Sequence, residues 1–220
     1  MARQTKSEAR KEQILKAAER IFAHKGFSEA TVSEVAREAG LSDATIYEYF
    51  SSKEELLFSI PLPTTRKAAQ ELQTHLDYIR GAVNKIRGII YGYLAFYQNH
   101  PDHASVLMLI LKQNRKFLKT EAYQLIREVS RMITRVVEEG IASNDFKSDS
   151  DPYLVRAVIL GTIEHSVITW LLLDRPQNLL KLADPLKDIV INGIRKDTQP
   201  KTMNFRLTLD PLDEDQRNQT

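Results

Sequence analysis

The side chains able to do chemistry in this chain are few, and most of them argue against catalysis. His100-Pro-Asp-His103 offers imidazole and carboxylate donors, but the spacing is not that of a metal-binding helical pair, and Pro101-Asp102 has the character of a helix start. No metal site is expected. There is no cysteine, which removes disulfides, thiolate zinc sites and thiol nucleophiles. The chain has no phosphate-binding P-loop, no dinucleotide glycine pattern and no nucleophile elbow, so neither enzyme activity nor a cofactor is expected. What remains is binding chemistry. Asp43, Ala44, Thr45, Tyr47, Glu48 and Tyr49 place small, hydroxylated and aromatic side chains at one helix start, where they would reach phosphates and thymine methyls. Lys112, Arg115, Lys116 and Lys119 gather cations beside apolar segments. Glu164-His165 interrupts an apolar run and reads as a satisfied polar pair rather than a ligand switch.

The elements that position these groups follow from periodicity. Ile14, Ala17, Ala18, Ile21 and Phe22 form one stripe of a helix from about Ser7 to His24, closed by Gly26. Thr31-Val-Ser-Glu34 is a capping box that opens a second helix with Val32, Val35, Ala36 and Ala39 inward. Gly40 ends it, Leu41 plugs the core, and Ser42 is the N-cap of a third helix that buries Ile46 and Phe50. Ser52-Lys-Glu-Glu55 reads as another capping box, and Pro61 and Pro63 interrupt or kink the helix it starts. Two short helices joined by Gly40-Leu41-Ser42 have the turn chemistry of a helix-turn-helix, with Asp43 to Phe50 free to enter a major groove. The first 25 residues are rich in Lys and Arg, a distribution that suits a phosphate backbone or an ordinary solvated face.

Phe22-Ala-His-Lys-Gly-Phe27, Thr31-Val-Ser-Glu-Val-Ala36, Ala39-Gly-Leu-Ser42 and Thr45-Ile-Tyr-Glu-Tyr-Phe50, followed by Lys53, closely resemble the DNA-binding domain of the TetR family of repressors. The resemblance implies an all-α homodimer, with a three-helix N-terminal DNA-binding domain and a larger helical domain for ligand binding and dimerisation. It also implies duplex operator DNA as a partner. Carried over residue by residue, Thr31 resembles a phosphate contact, and Ser33 stands where relatives often carry a longer base-reading side chain. Thr45, Tyr47 and Tyr49 resemble backbone-contacting positions, Asp43 and Ala44 sit where bases are met, and Lys53 resembles a phosphate-gripping lysine. Asp43 and Glu48 depart from the more basic or neutral residues common there.

Beyond residue 53 the chain reads as helical to about Lys196, giving domains 1–53 and 54–196 and a polar tail, 197–220, expected to be partly disordered. Residues 150–196 read as two helices. Ile159, Ile163 and Trp170 on the first, with Leu186, Ile189, Val190 and Ile194 on the second, form stripes that two protomers would pair as a four-helix interface, or that one protomer would use as a core edge. Leu160-Gly-Thr-Ile-Glu-His-Ser-Val-Ile-Thr-Trp170, Ile191-Asn-Gly-Ile194 and Leu109-Ile-Leu-Lys-Gln113 with Arg115 and Lys116 resemble one TetR subgroup, the acyl-CoA-responsive regulators of fatty-acid degradation. That resemblance implies release from DNA on binding a long-chain acyl-CoA. Ile89, Tyr93, Phe96, Leu107, Leu111 and Val167 are then candidates for an apolar tunnel, with Lys112, Arg115 and Lys116 for the phosphates at its mouth. A plain helical core with a solvated basic turn has the same sequence pattern.

Two other readings stay open. Tyr91, Tyr93, Phe96, Tyr97 and Trp170 would suit a multidrug-type regulator that senses aromatic or cationic lipophiles. A helical scaffold or enzyme sharing only the N-terminal module is the reading of a different class. The apolar stretch Val155 to Leu173 carries Glu164 and His165 at its centre and is expected as a buried helix, not a membrane span. With no apolar leader and no cysteine, a cytoplasmic location is expected.

Overall fold

The computed structural model describes residues 2–196, with side chains from residue 6 onward; the expectation for the polar tail falls outside the described residues. The described chain is all-α apart from one isolated bridge between Phe146 and Arg195. Helix α1 runs from Ala2 to Glu29; it begins well before its apolar stripe because the segment ahead of Ile14 contains no glycine or proline, and it extends past the stripe only across a kink. Its regular course stops at Gly26, whose φ of 78° any other residue would adopt only under strain. Helices α2 (Val32–Glu38), α3 (Asp43–Tyr49) and α4 (Lys53–Ser59) complete the N-terminal module. Ile14, Ala18, Phe22, Val35, Ala36, Ile46 and Phe50 are buried at its centre, with Ile21, Val32 and Leu41 packed against them.

The caps form where the sequence places them, with one difference. The Thr31 hydroxyl accepts from the Glu34 amide while Glu34 accepts from the Thr31 amide at 3.0 Å, and Ser42 accepts from the Thr45 amide. At α4, Ser52 caps the Glu55 amide, but the Glu55 carboxylate turns to the Ser51 amide instead of closing the box on Ser52.

The larger domain consists of α5 (Pro61–Tyr78), α6 (Ala82–Asn99), α7 (Pro101–Ser105), a π-helical segment (Val106–Leu111), α8 (Glu121–Ala142), α9 (Pro152–Leu173) and α10 (Ala183–Ile194). Pro61 opens α5 directly behind α4 through Ile60, whose backbone is itself helical, so the prolines mark a joint between two helices rather than a loop. Helix α6 is central, packed against α5, α8, α9 and α10. Gly140 lets the α8 end seat Phe146: a Cβ there would lie 2.2 Å from the Phe146 ring.

Candidate nucleic-acid interface and effector slot

Helix α3 presents the exposed Asp43, Ala44, Tyr47 and Glu48, with Tyr47 55% exposed while Ile46 behind it is 1% exposed. That contrast fixes which face of the seven-residue helix is available. Tyr49 and Thr45 are only half-exposed; Tyr49 packs against the core and the Thr45 hydroxyl lies 3.0 Å from that of Ser42. Asp43 does not project freely. Its carboxylate accepts from the Ser33 hydroxyl of α2, which ties the two helices together across the turn. Lys53, at the first turn of α4, lies 4.5 Å from the Phe27 ring centre and donates to the Ser28 carbonyl at 3.3 Å. Thr31, Ser33, Tyr47 and Lys53 thus belong to one compact module, steadied by Gln13 donating to the Ala39 carbonyl at 2.7 Å and by Arg20 pairing with Glu38 at 3.2 Å. Glu34, engaged by the Lys25 ammonium and the Thr31 amide, is held below the usual carboxylate range.

In the larger domain an apolar slot lies between α5, α6 and α8. Helix α5 contributes Thr65, Ala68, Ala69 and Leu72, and α6 contributes Gly92, Tyr93, Phe96 and Tyr97. Leu107 of the π segment and Ile126 and Val129 of α8 complete it. The closed part of the slot measures about 70 Å³, within about 500 Å³ of empty space counted out to the mouth. A drug-sized ligand usually occupies roughly 300–1,000 Å³, so an elongated ligand enters only if the helices part. Burial pushes the phenols of Tyr93 and Tyr97 well above the ordinary tyrosine range, so both remain neutral and the slot carries no charge of its own.

Several sequence expectations change here. Tyr93, Phe96 and Leu107 line the slot, but Ile89, Leu111 and Val167 are wholly buried in the domain core and are not part of its wall. Lys112 pairs with Glu164 and Lys116 with Glu54 at 3.0 Å; neither they nor the exposed Arg115 borders the slot. Glu164 and His165 do not pair, since adjacent helical residues diverge: Glu164 meets Lys112 while His165 faces solvent. Tyr91 is 52% exposed, and neither it nor Trp170 reaches the slot. The α5 and α8 residues escaped the sequence reading. Their signal was the spacing of Thr65, Ala68, Ala69 and Leu72, a helical stripe whose alanines are too small to fill the gap to the next helix.

The expected dimer stripe also shifts. Ile159, Ile163, Leu186 and Val190 are buried within the protomer, at 0%, 1%, 5% and 5% exposure, and belong to its core. Trp170 and Ile194 are half-buried against that core. Apolar residues left outward include Leu154, Val158, Leu172 and Leu173 on α9 and Ile189 on α10, with Ile189 70% exposed. Gly161 and Gly193 lie on the same outward surfaces with open space where a Cβ would stand, so nothing within the protomer requires glycine at either position.

Comparison with known proteins places both halves of the chain. Residues 14–60 match the family of bacterial regulatory proteins of the tetR type, and residues 66–193 match the C-terminal region of YsiA-like proteins. The fatty acid metabolism regulator protein of Bacillus subtilis is 28% identical over 182 residues, covering 83% of this chain and 94% of that protein. A crystal structure of the transcriptional regulator FadR from Bacillus subtilis, in complex with stearoyl-CoA, superimposes with a TM-score of 0.74 over 83% of this chain and 98% of that one, at 28% identity. The fatty acid degradation regulator FadR from Bacillus halodurans shares the fold, with a TM-score of 0.78, 24% identity, and coverage of 84% and 95%. The module built by α1 to α4 and the helical domain behind it are both those of one group of proteins, none of them enzymes: this chain is a transcriptional regulator of the TetR family, with a YsiA-like C-terminal domain.

Proposed function

We propose that this regulator is a homodimeric repressor that binds a palindromic operator through α3 and is released by a long-chain acyl-CoA, so that it controls genes of fatty-acid metabolism. The observation that carries the ligand class is the uncharged, apolar, narrow slot between α5, α6 and α8. An acyl chain is the ligand shape that such a slot accepts end-on, and each methylene it buries contributes about 0.8 kcal/mol. A regulator 28% identical to this chain has been seen with stearoyl-CoA, which supports the same class here. Because the enclosed part of the slot is only about 70 Å³, an acyl chain binds better to an arrangement in which α5 and α6 stand further apart. It shifts the equilibrium only by that difference in affinity.

In this reading α3 enters the major groove, with Tyr47 against the sugar-phosphate backbone and Ala44 beside a base edge. Thr31 and Lys53 hold phosphates on either side. Ser33, engaged with Asp43, acts mainly by fixing the angle between α2 and α3. The two protomers meet through the outward surfaces of α9 and α10, where Gly161 and Gly193 permit close approach and Leu154, Val158 and Ile189 supply apolar area.

The test is a titration of acyl-CoA esters from eight to eighteen carbons into a preformed complex with duplex selected from a random library by the protein itself. Release that strengthens with chain length, and no release by free CoA, supports the reading. No release at any length, together with release by an aromatic or cationic lipophile, replaces it with the drug-sensor reading for which Tyr93, Phe96 and Tyr97 supply the walls.

A further inference from the structure

His103 on α7 is buried to 2% exposure, and its Nδ1 lies 2.7 Å from the Glu19 carboxylate of α1. Its other ring nitrogen, Nε2, is buried with no hydrogen-bond partner among the described residues. An orphaned buried nitrogen costs stability that a phenylalanine of similar shape would not incur, so packing alone does not explain a histidine here. The ring also meets Phe96 edge to face, with centroids 5.2 Å apart. Phe96 lines the slot. One continuous line of contact therefore runs from the slot wall through Phe96 and His103 to Glu19, a residue of the DNA-binding module's first helix. Around it, His24 lies 3.3 Å from Asp102 and the Ser105 hydroxyl reaches the Ala23 carbonyl at 3.5 Å, so α1 meets α7 at three points along its length.

We infer that the His103–Glu19 bond is the latch that couples slot occupancy to the position of the DNA-binding module, with Phe96 as the element that feels the ligand. The inference rests on the slot being the effector site. With the slot closed, Phe96 supports the imidazole and the bond holds α1 to α7. An occupant that displaces the Phe96 ring takes away the edge support of His103, and α7 moves relative to α1. The adjoining segment can absorb that movement: Val106–Leu111 is π-helical, and Leu107 within it lines the slot. A π segment holds an extra residue per turn in poorer hydrogen-bond geometry, so tightening to an α-helix offers it a second discrete arrangement. Coupling between distant sites needs such a two-state element, biased from both ends.

The test avoids dependence on the effector's identity by filling the slot covalently. In the parent protein, Ala69→Phe should weaken binding to the selected operator duplex by about 10-fold, within the usual 5- to 150-fold range of coupling between sites. In a Glu19→Ala background, and separately in a His103→Phe background that keeps the ring's volume, the same substitution should change affinity by less than about 2-fold. Glu19→Gln, which still accepts from the imidazole, should restore the full effect. Glu19 lies near the surface, at 17% side-chain exposure, so its variants test the bond without opening the core. If Ala69→Phe does not fold, Ala68→Leu takes its place. Equal sensitivity in every background overturns the latch, and so does no effect of slot filling in the folded parent. Calorimetric titration of the parent with stearoyl-CoA decides the acyl-CoA reading separately.

Discussion

The Lys53 ammonium lies 4.5 Å from the centre of the Phe27 ring and donates to the carbonyl of Ser28, one residue further along the chain. A lysine that would be a freely rotating surface charge is thereby held in one orientation. Phe27 itself packs edge-on against Phe22 at 5.6 Å, so that orientation is set by the core of the module.

The first prediction concerns that placement. Lys53→Met should weaken operator binding at all sequences alike and lower the slope of log affinity against log salt by about one unit. Tyr47→Ala should weaken binding without changing helicity, because its side chain is exposed and supports no core contact. Fluorescence anisotropy over a salt series reads both. Unchanged affinity in both variants would remove α3 and the α4 start from the interface.

Association and folding should separate along α9 and α10. Ile189→Glu combined with Val158→Glu is expected to give folded monomers in sedimentation, since both side chains face outward. Ile163→Ala, at a fully enclosed position, should instead lower protomer stability by about 2–5 kcal/mol and leave the association of the remaining folded fraction intact. A stable dimer from the double glutamate variant would put the interface elsewhere.

Slot length should be readable in ligand preference. Ala68→Leu fills part of the gap between α5 and α6, and long acyl-CoA esters should lose about fourfold in affinity for each methylene excluded, at about 0.8 kcal/mol apiece. Short esters should be affected least. Calorimetric titration of an eight-carbon and an eighteen-carbon ester against both proteins makes the comparison, and equal losses for the two would argue against end-on insertion.

Acid should loosen the N-terminal module at α2. The Lys25 ammonium and the Thr31 amide depress the Glu34 carboxyl, so its contribution to stability is full above the ordinary carboxylate range and is lost as pH falls through its lowered value. Glu34→Gln should therefore narrow the gap to the parent's melting temperature below about pH 4, the region in which an unperturbed glutamate titrates. Parallel melting curves across pH 3 to 7 test this; a gap that does not depend on pH would mean that the pairing with Lys25 carries no weight.

The helix-turn-helix was legible in the residues because its determinants are local. Gly26 and Gly40 occupy the positive φ that the sequence leads one to expect of a helix terminus, and Thr31, Ser42 and Ser52 find the amide three residues on, which spacing alone dictates. The slot and the outward surfaces were not legible in the same way. Ile159, Ile163, Leu186 and Val190 carry the same apolar periodicity whether they face a partner chain or their own core, and only the packing of α6 against α9 and α10 decides that they face inward. Likewise Ala68 and Ala69 are unremarkable helix formers until α6 and α8 stand opposite them and leave space unfilled. His103 and Glu19 are 84 positions apart. Periodicity tells how a helix is sided, but which sides meet depends on contacts between residues far apart in the chain, and those only the assembled helices bring together.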